Sequence, residues 1–101
     1  IVDIFQTVIG RDQIKRPKPD PEIYLYAAES IGIAPNLALA VEDSPAGVTA
    51  AKAAGMPWIA VATQFTADRL REMSSEDLQW VVFDQKDLIN RVAKRIAGTQ
   101  S

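Results

Sequence analysis

Short apolar runs alternate along this sequence with segments that open at a capping residue followed by proline. Asp20 with Pro21 opens one such segment, which Gly32 closes, and Ser44 with Pro45 opens the next. Asp and Ser side chains cap helix N-termini, and the fixed φ of proline suits the first helical position. Strands that alternate with short helices form βαβ units, so the pattern predicts an α/β fold with a mainly parallel sheet and flanking helices.

The apolar periodicity places the individual elements. We predict strands over 1–9, 37–41, 57–63 and 80–83, and helices over 21–31, 46–54, 66–73 and from 84 onward. The run 37–41 is apolar at every position, which predicts a strand covered by helices on both faces. Aromatic residues in or beside the strands are predicted to fill the core, namely Trp58, Phe65, Trp80 and Phe83.

The 101 residues contain neither cysteine nor histidine. Their absence excludes disulfide scaffolds, thiol nucleophiles, serine–histidine–aspartate triads and most transition-metal sites. Carboxylates, lysines, hydroxyls and backbone amides remain as possible chemistry, so a bound metal is expected to be a hard cation. A chain without cysteine also fits a reducing compartment, which predicts a cytoplasmic protein.

The composition is that of one globular domain, with 48% apolar and 24% charged residues. A formal net charge of -2 without a basic block argues against a nucleic-acid partner. No apolar run has the length of a membrane span, so we expect no membrane partner either.

Glu42 and Asp43 form an acidic pair where the run 37–41 ends and the next helix begins. Ligands of open parallel sheets bind at the carboxyl ends of strands. Adjacent carboxylates repel each other unless a cation or a proton intervenes, and carboxylate oxygens suit Mg²⁺. The local pattern leaves a structural alternative open, in which the pair interacts with the helix dipole while Ser44 caps the helix.

Lys18 lies between Pro17 and Pro19 in a loop whose backbone these prolines stiffen. A lysine held at the carboxyl edge of the sheet could neutralise phosphate oxygens or a neighbouring carboxylate. A solvated loop lysine is the simpler alternative, because charged side chains are mostly exposed.

The candidate residues lie in two stretches with a recognisable pattern. Lys18 opens KPDPEIY over 18–24, while Glu42 and Asp43 belong to VEDSPAGV over 41–48, which small residues and a glycine follow over 51–56. Together these stretches resemble the third and fourth motifs of the haloacid dehalogenase superfamily, in particular its β-phosphoglucomutase-like branch of phosphatases and phosphomutases. The spacing, the helix between the motifs and the following strand also agree with that family.

The resemblance implies a Rossmann-like fold of the haloacid dehalogenase type and phosphoryl transfer through an aspartyl-phosphate, with magnesium as the cofactor. In that scheme Lys18 is catalytic, because it stabilises the charge of the nucleophile and of the phosphate. Asp43 is expected to ligate Mg²⁺ directly. Glu42 is expected to be either a second metal ligand or an acceptor that orients the metal-bound waters. Asp20 is interpreted as a helix cap only.

The sequence departs from the family pattern in what it lacks. The Asp-x-Asp motif that supplies the nucleophile is absent, and the second motif and the cap domain have no place before residue 1. We therefore predict that 1–101 is the C-terminal portion of a core domain, without its first two core strands and inactive alone. Its partners are expected to be a small phosphorylated metabolite and either the missing N-terminal half or a second chain.

Two non-catalytic alternatives remain. A receiver-like signalling domain also joins acidic strand ends to a lysine, but its usual order places the acidic pair first, whereas Lys18 precedes Glu42 here. A degenerate interaction domain that kept the scaffold after losing catalysis would look the same as a truncated enzyme.

Overall fold

The computed structural model describes residues 16–100, with side chains up to residue 98. The described helices are α1 Glu22–Ser30, α2 Pro45–Ala53, α3 Ala67–Arg71, α4 Ser75–Leu78 and α5 Leu88–Gln100. The described strands are β1 Ala40–Glu42, β2 Trp58–Val61 and β3 Val81–Val82, with 3-10 turns at Pro35–Leu37 and Gln85–Asp87. None of the described helices is both long and apolar enough to cross a bilayer.

The described strands form one parallel sheet in the order β1-β2-β3. Ala40 of β1 is in register with Trp58 of β2, and Ala60 of β2 is in register with Val81 of β3. A helix connects each strand to the next, so the predicted α/β fold with a parallel sheet and flanking helices is confirmed. The strand predicted over 1–9 lies outside the described residues.

Ser44 caps its helix as the sequence predicts, whereas the N-cap of α1 is Pro21 and not Asp20, which lies one residue before it. The Asp20 Oδ1 atom accepts the Glu22 N–H at 2.9 Å, although α1 begins one residue later than the predicted start at Pro21. The Ser44 Oγ atom accepts the Gly47 N–H at 3.2 Å and caps α2. Gly32 adopts a φ of +72° just beyond α1, a conformation that favours glycine.

The core lies between α2 and the sheet. α2 buries Val48, Ala50 and Ala51, whose small or branched side chains let the helix approach the strands closely. Ile59 of β2 and Leu70 of α3 are fully buried. Burial of one such aliphatic side chain contributes about 1.5–3 kcal/mol to folding, so this layer holds the sheet and helices together.

The first described strand is shorter than predicted and is not covered on both faces. Leu37 lies in a 3-10 turn that begins at Pro35, and Val41 is exposed, so both details of the prediction for 37–41 are wrong. Within the described residues β1 is an edge strand. Only the face that bears Ala40 and Glu42 is buried.

The predicted aromatic core is correct for only part of its residues. Trp58 is buried and Trp80 is half-buried, but 79% of Phe65 and part of Phe83 are exposed. Phe65 lies in a turn after β2 that the hydroxyls of Thr63 and Thr66 close. The prediction that Phe65 fills the core is therefore wrong, because the chain has already left the sheet at that point.

Candidate functional site

The candidate site lies where β1 ends. Glu42 is the last residue of β1, and Asp43 follows it directly. Lys18 reaches the same place from the loop before α1, and Tyr24 reaches it from the first turn of α1. This is the carboxyl end of a parallel strand, the position where open α/β sheets bind ligands.

Glu42 is the centre of this group. Its side chain is only 4% exposed, and its Oε2 atom lies 2.5 Å from the Lys18 Nζ atom. The same Oε2 atom accepts the Tyr24 phenol O–H, while Oε1 accepts the Asp43 backbone N–H at 3.3 Å. A buried carboxylate is costly unless it is paired and hydrogen-bonded, and here each oxygen has a donor.

Gly47 makes room for the Glu42 carboxylate. A Cβ atom at Gly47 would overlap the Glu42 carboxyl carbon and its Oε1 atom. Gly47 lies in the first turn of α2, so the carboxylate rests against the positive end of the helix dipole. The glycine therefore permits an approach between strand end and helix that any larger residue would block.

Lys18 bridges this buried carboxylate and the surface. About a third of its side chain is exposed, at 34%, and its Nζ atom lies 5.9 Å from the centre of the Tyr24 ring. The loop is held locally, since the Asp20 N–H donates to the Pro17 carbonyl at 3.1 Å. An ammonium group has three N–H donors, so Lys18 can contact a second anion while it holds Glu42.

The structure brings Lys18 and Glu42 into direct contact and places Asp43 beside them along the chain. Asp43 itself is exposed. No group of three or more acidic residues that could hold a metal ion occurs within residues 16–100. Mg²⁺ requires six oxygen ligands in an octahedron. The carboxylates of Glu42 and Asp43 are ligands of the right type, but two of them are too few to complete the site.

Sequence reasoning missed Tyr24 and Gly47 as members of the site. Tyr24 is separated from Glu42 by 18 positions, and only the folded chain shows their contact. Gly47 did give a signal, because a glycine inside a helix costs stability and is kept where another group approaches closely. Both residues lie within the stretches 18–24 and 41–48 that carry the sequence resemblance.

A second charged cluster lies at the opposite end of the sheet. The Lys52 ammonium contacts the Asp77 carboxylate and lies 5.8 Å from the Trp58 ring centre. The Arg95 guanidinium lies 4.2 Å from the Trp80 ring centre and 5.8 Å from that of Trp58. Burial lowers the pKa of Arg95 below its ordinary value, and nearby Asp77 opposes this shift. The cluster attaches α5 to the starts of β2 and β3.

The chain is similar to known proteins over most of its length. The family described as haloacid dehalogenase-like hydrolase matches residues 1–61. The chain is 46% identical over 61 residues to a CBBY-like protein of Arabidopsis thaliana, covering 60% of this chain and 19% of that protein. It is 40% identical over 68 residues to hexitol phosphatase A of Escherichia coli, covering 67% of this chain and 32% of that protein. It is also 39% identical over 72 residues to a protein named putative phosphatase YhcW of Bacillus subtilis, covering 71% of this chain and 33% of that protein.

Among solved structures, the chain is similar to a β-phosphoglucomutase from Clostridium difficile, with a TM-score of 0.58. The likeness covers 85% of this chain and 37% of that one, at 22% sequence identity, and shows the fold alone. The chain spans between 19% and 33% of the length of the curated relatives named above.

Proposed function

The chain belongs to the haloacid dehalogenase-like hydrolase family, and from this premise we propose that it is the C-terminal portion of the core domain of a phosphatase or phosphomutase. The observation that carries the proposal is the contact between Lys18 and the buried Glu42 at the carboxyl end of β1, beside exposed Asp43. A cation next to carboxylates at this edge is suited to bind and transfer a phosphoryl group.

In the proposed reaction, the carboxylate of an aspartate outside these residues attacks the phosphorus of a phosphomonoester. The bond from phosphorus to the leaving oxygen breaks, that oxygen takes up a proton from an acid outside these residues, and an aspartyl-phosphate forms. Water then attacks the phosphorus in a phosphatase, or a sugar hydroxyl does so in a mutase, and the aspartate is released. Lys18 stabilises the negative charge on the nucleophile and on the phosphoryl oxygens, and Glu42 holds Lys18 in place.

The residues present suggest how magnesium would be held. Asp43 would supply one direct ligand, and Glu42 would either ligate the ion or accept hydrogen bonds from its bound water. The remaining ligands would come from outside residues 16–100. When bound, Mg²⁺ supplies a positive charge that shields the phosphoryl oxygens during attack.

We propose a small phosphorylated metabolite as the substrate, in keeping with relatives named for hexitol and phosphorylated-carbohydrate phosphatases. The sheet would be completed by the N-terminal half of a longer chain or by a second chain. The absence of cysteine suits a reducing compartment such as the cytoplasm.

The test is hydrolysis of a panel of sugar phosphates by the whole protein, with Mg²⁺ or with a chelator. We expect activity only with Mg²⁺, and a loss of about 100-fold or more in Asp43→Ala. Exposed Asp87 in the 3-10 turn after β3 provides the control, since Asp87→Ala should keep full activity.

The 101-residue chain alone is expected to be inactive. If this chain hydrolysed a generic phosphomonoester with Mg²⁺ and lost that activity in Asp43→Ala, the proposal that the nucleophile lies outside it would be wrong. A whole protein that neither hydrolysed a sugar phosphate nor moved its phosphoryl group to another hydroxyl would favour the non-catalytic alternative.

A further inference from the structure

One oxygen of Glu42 receives two donors from different parts of the chain. The Lys18 ammonium comes from the loop before α1, and the Tyr24 phenol comes from α1 itself. We propose that Tyr24 is a positioning residue of this site, whose O–H fixes the Glu42 carboxylate so that Glu42 in turn fixes Lys18. The catalytic consequence of this inference rests on the proposed function, whereas the contact between Tyr24 and Glu42 does not.

The Glu42 side chain needs such an anchor. Glutamate has three rotatable side-chain bonds, and holding a long charged side chain in one geometry costs conformational entropy. Gly47 opens the space against α2 in which the carboxylate lies. Gly47 has no side chain to direct the carboxylate, so the directional hydrogen bond from Tyr24 selects where Oε2 lies.

The position of Oε2 then determines the position of the Lys18 ammonium. The two groups are 2.5 Å apart, and a third of the Lys18 side chain reaches solvent. A lysine is flexible, with a compact charge on a four-carbon stem, and the loop prolines fix only its backbone. The chain of contacts from Tyr24 through Glu42 to Lys18 is therefore what orients the ammonium.

A packing role is the alternative for Tyr24, because its ring is half-buried and packs against the core. Tyr24→Phe separates the two roles, since it keeps the ring and its contact with Lys18 but removes the O–H donor. Tyr26 offers a matched control. It lies on the same helix, is partly exposed and lines an open surface depression with Arg16 and Glu29.

The first readout does not depend on activity. Lys18 acetylation in the whole protein is followed by mass spectrometry, with exposed Lys86 as the internal reference. Loss of the anchor lets Lys18 leave Glu42, so Tyr24→Phe should raise the relative labelling rate of Lys18 by about threefold or more. Tyr26→Phe should leave that rate unchanged, and in a Glu42→Gln background Tyr24→Phe should add little.

The second readout is catalytic. Tyr24→Phe is expected to lower kcat of the whole protein by about tenfold, the usual size of effects from partners that orient a functional group. Tyr26→Phe should keep the wild-type kcat.

The outcomes separate the two proposals. Faster Lys18 labelling in a protein with neither phosphatase nor phosphomutase activity would support the positioning role and reject the proposed function. Unchanged labelling in Tyr24→Phe would overturn the positioning role, whatever the activity, and would leave Tyr24 as a packing residue.

Discussion

The two ends of the sheet carry similar sets of residues in different surroundings. Each end has a lysine, a carboxylate and an aromatic ring in contact, Lys18 and Glu42 with Tyr24 at the carboxyl end, and Lys52 and Asp77 with Trp58 at the amino end. The Glu42 side chain is 4% exposed, whereas that of Asp77 is 19% exposed. Lys52 is also more exposed than Lys18, at 48% against 34%.

The two ion pairs differ in what burial does to their contribution to stability. Ion pairs that water still reaches contribute about 0–1 kcal/mol, and the half-exposed Lys52 places the pair at the amino end in this class. A buried ion pair is a poor source of stability, because desolvation offsets most of the attraction. At the carboxyl end the chain nevertheless buries Glu42 and keeps a glycine in a helix for it. Stability alone gives no reason for this arrangement, whereas the proposed function does.

Among the substitutions that test the difference between the two ends of the sheet, Gly47→Ala is expected to have the largest effect on stability. The added methyl group overlaps the Glu42 carboxylate, so the carboxylate must shift from the position in which it contacts Lys18. We expect a loss of about 2–3 kcal/mol in the free energy of unfolding, measured in urea, together with loss of phosphatase activity in the whole protein.

Gly98→Ala is the matched control for that substitution. Gly98 also lies in a helix, but a Cβ atom there would meet no heavy atom within 4 Å. Because alanine favours helix more than glycine does, we expect a gain of up to about 1 kcal/mol. Equal destabilisation by the two substitutions would contradict the account of Gly47.

Glu42→Gln and Asp77→Asn compare the two carboxylates directly. Each keeps the shape of the side chain and removes its charge. Glu42→Gln should cost about 1–2 kcal/mol in urea unfolding, because a buried charge-assisted contact with Lys18 is lost. Asp77→Asn should cost about 0.5 kcal/mol or less, since its partner is half in water. A larger loss of unfolding free energy for Asp77→Asn than for Glu42→Gln would contradict the view that the Glu42 pair is the buried one.

Arg95→Met tests whether the charged cluster at the amino end of the sheet contributes only to stability. The guanidinium lies over Trp80 and close to Trp58, and methionine keeps much of the apolar contact while removing the charge. We expect a loss of about 1 kcal/mol in thermal or urea unfolding, the size of a partly buried cation–π contact. The kcat of the whole protein should stay at the wild-type value, and a lower kcat would place this cluster in the functional machinery.

The sequence predicts the fold where the signals are local. Ser44 caps α2, and Asp20 binds the first residue of α1, because the donors they bind lie two or three residues away. The exposure of Val41 depends on which elements cover the sheet, and that of Phe65 depends on where the chain leaves it. The apolar pattern of the sequence carries neither kind of information. The contact from Tyr24 to Glu42 likewise needs the packing of α1 beside the end of β1.

For the site, the two motifs place Lys18 and Glu42 at the same edge of the sheet. Their contact is only one of the possibilities that the sequence offers for Lys18, and nothing in the sequence indicates that Glu42 is buried and shared between two donors. The roles of Lys18 in catalysis and of Asp43 and Glu42 toward Mg²⁺ stay predictions, as does the strand over 1–9.

The most direct test of the central claim compares Lys18→Met with Lys52→Met in the whole protein. The measurement is kcat/KM for a sugar phosphate in the presence of Mg²⁺. We expect a loss of about 100-fold or more for Lys18→Met, because the charge proposed to lie beside the phosphoryl group is removed, and a change of less than about twofold for Lys52→Met. Equal effects of the two substitutions, or full activity in Lys18→Met, would contradict the central claim.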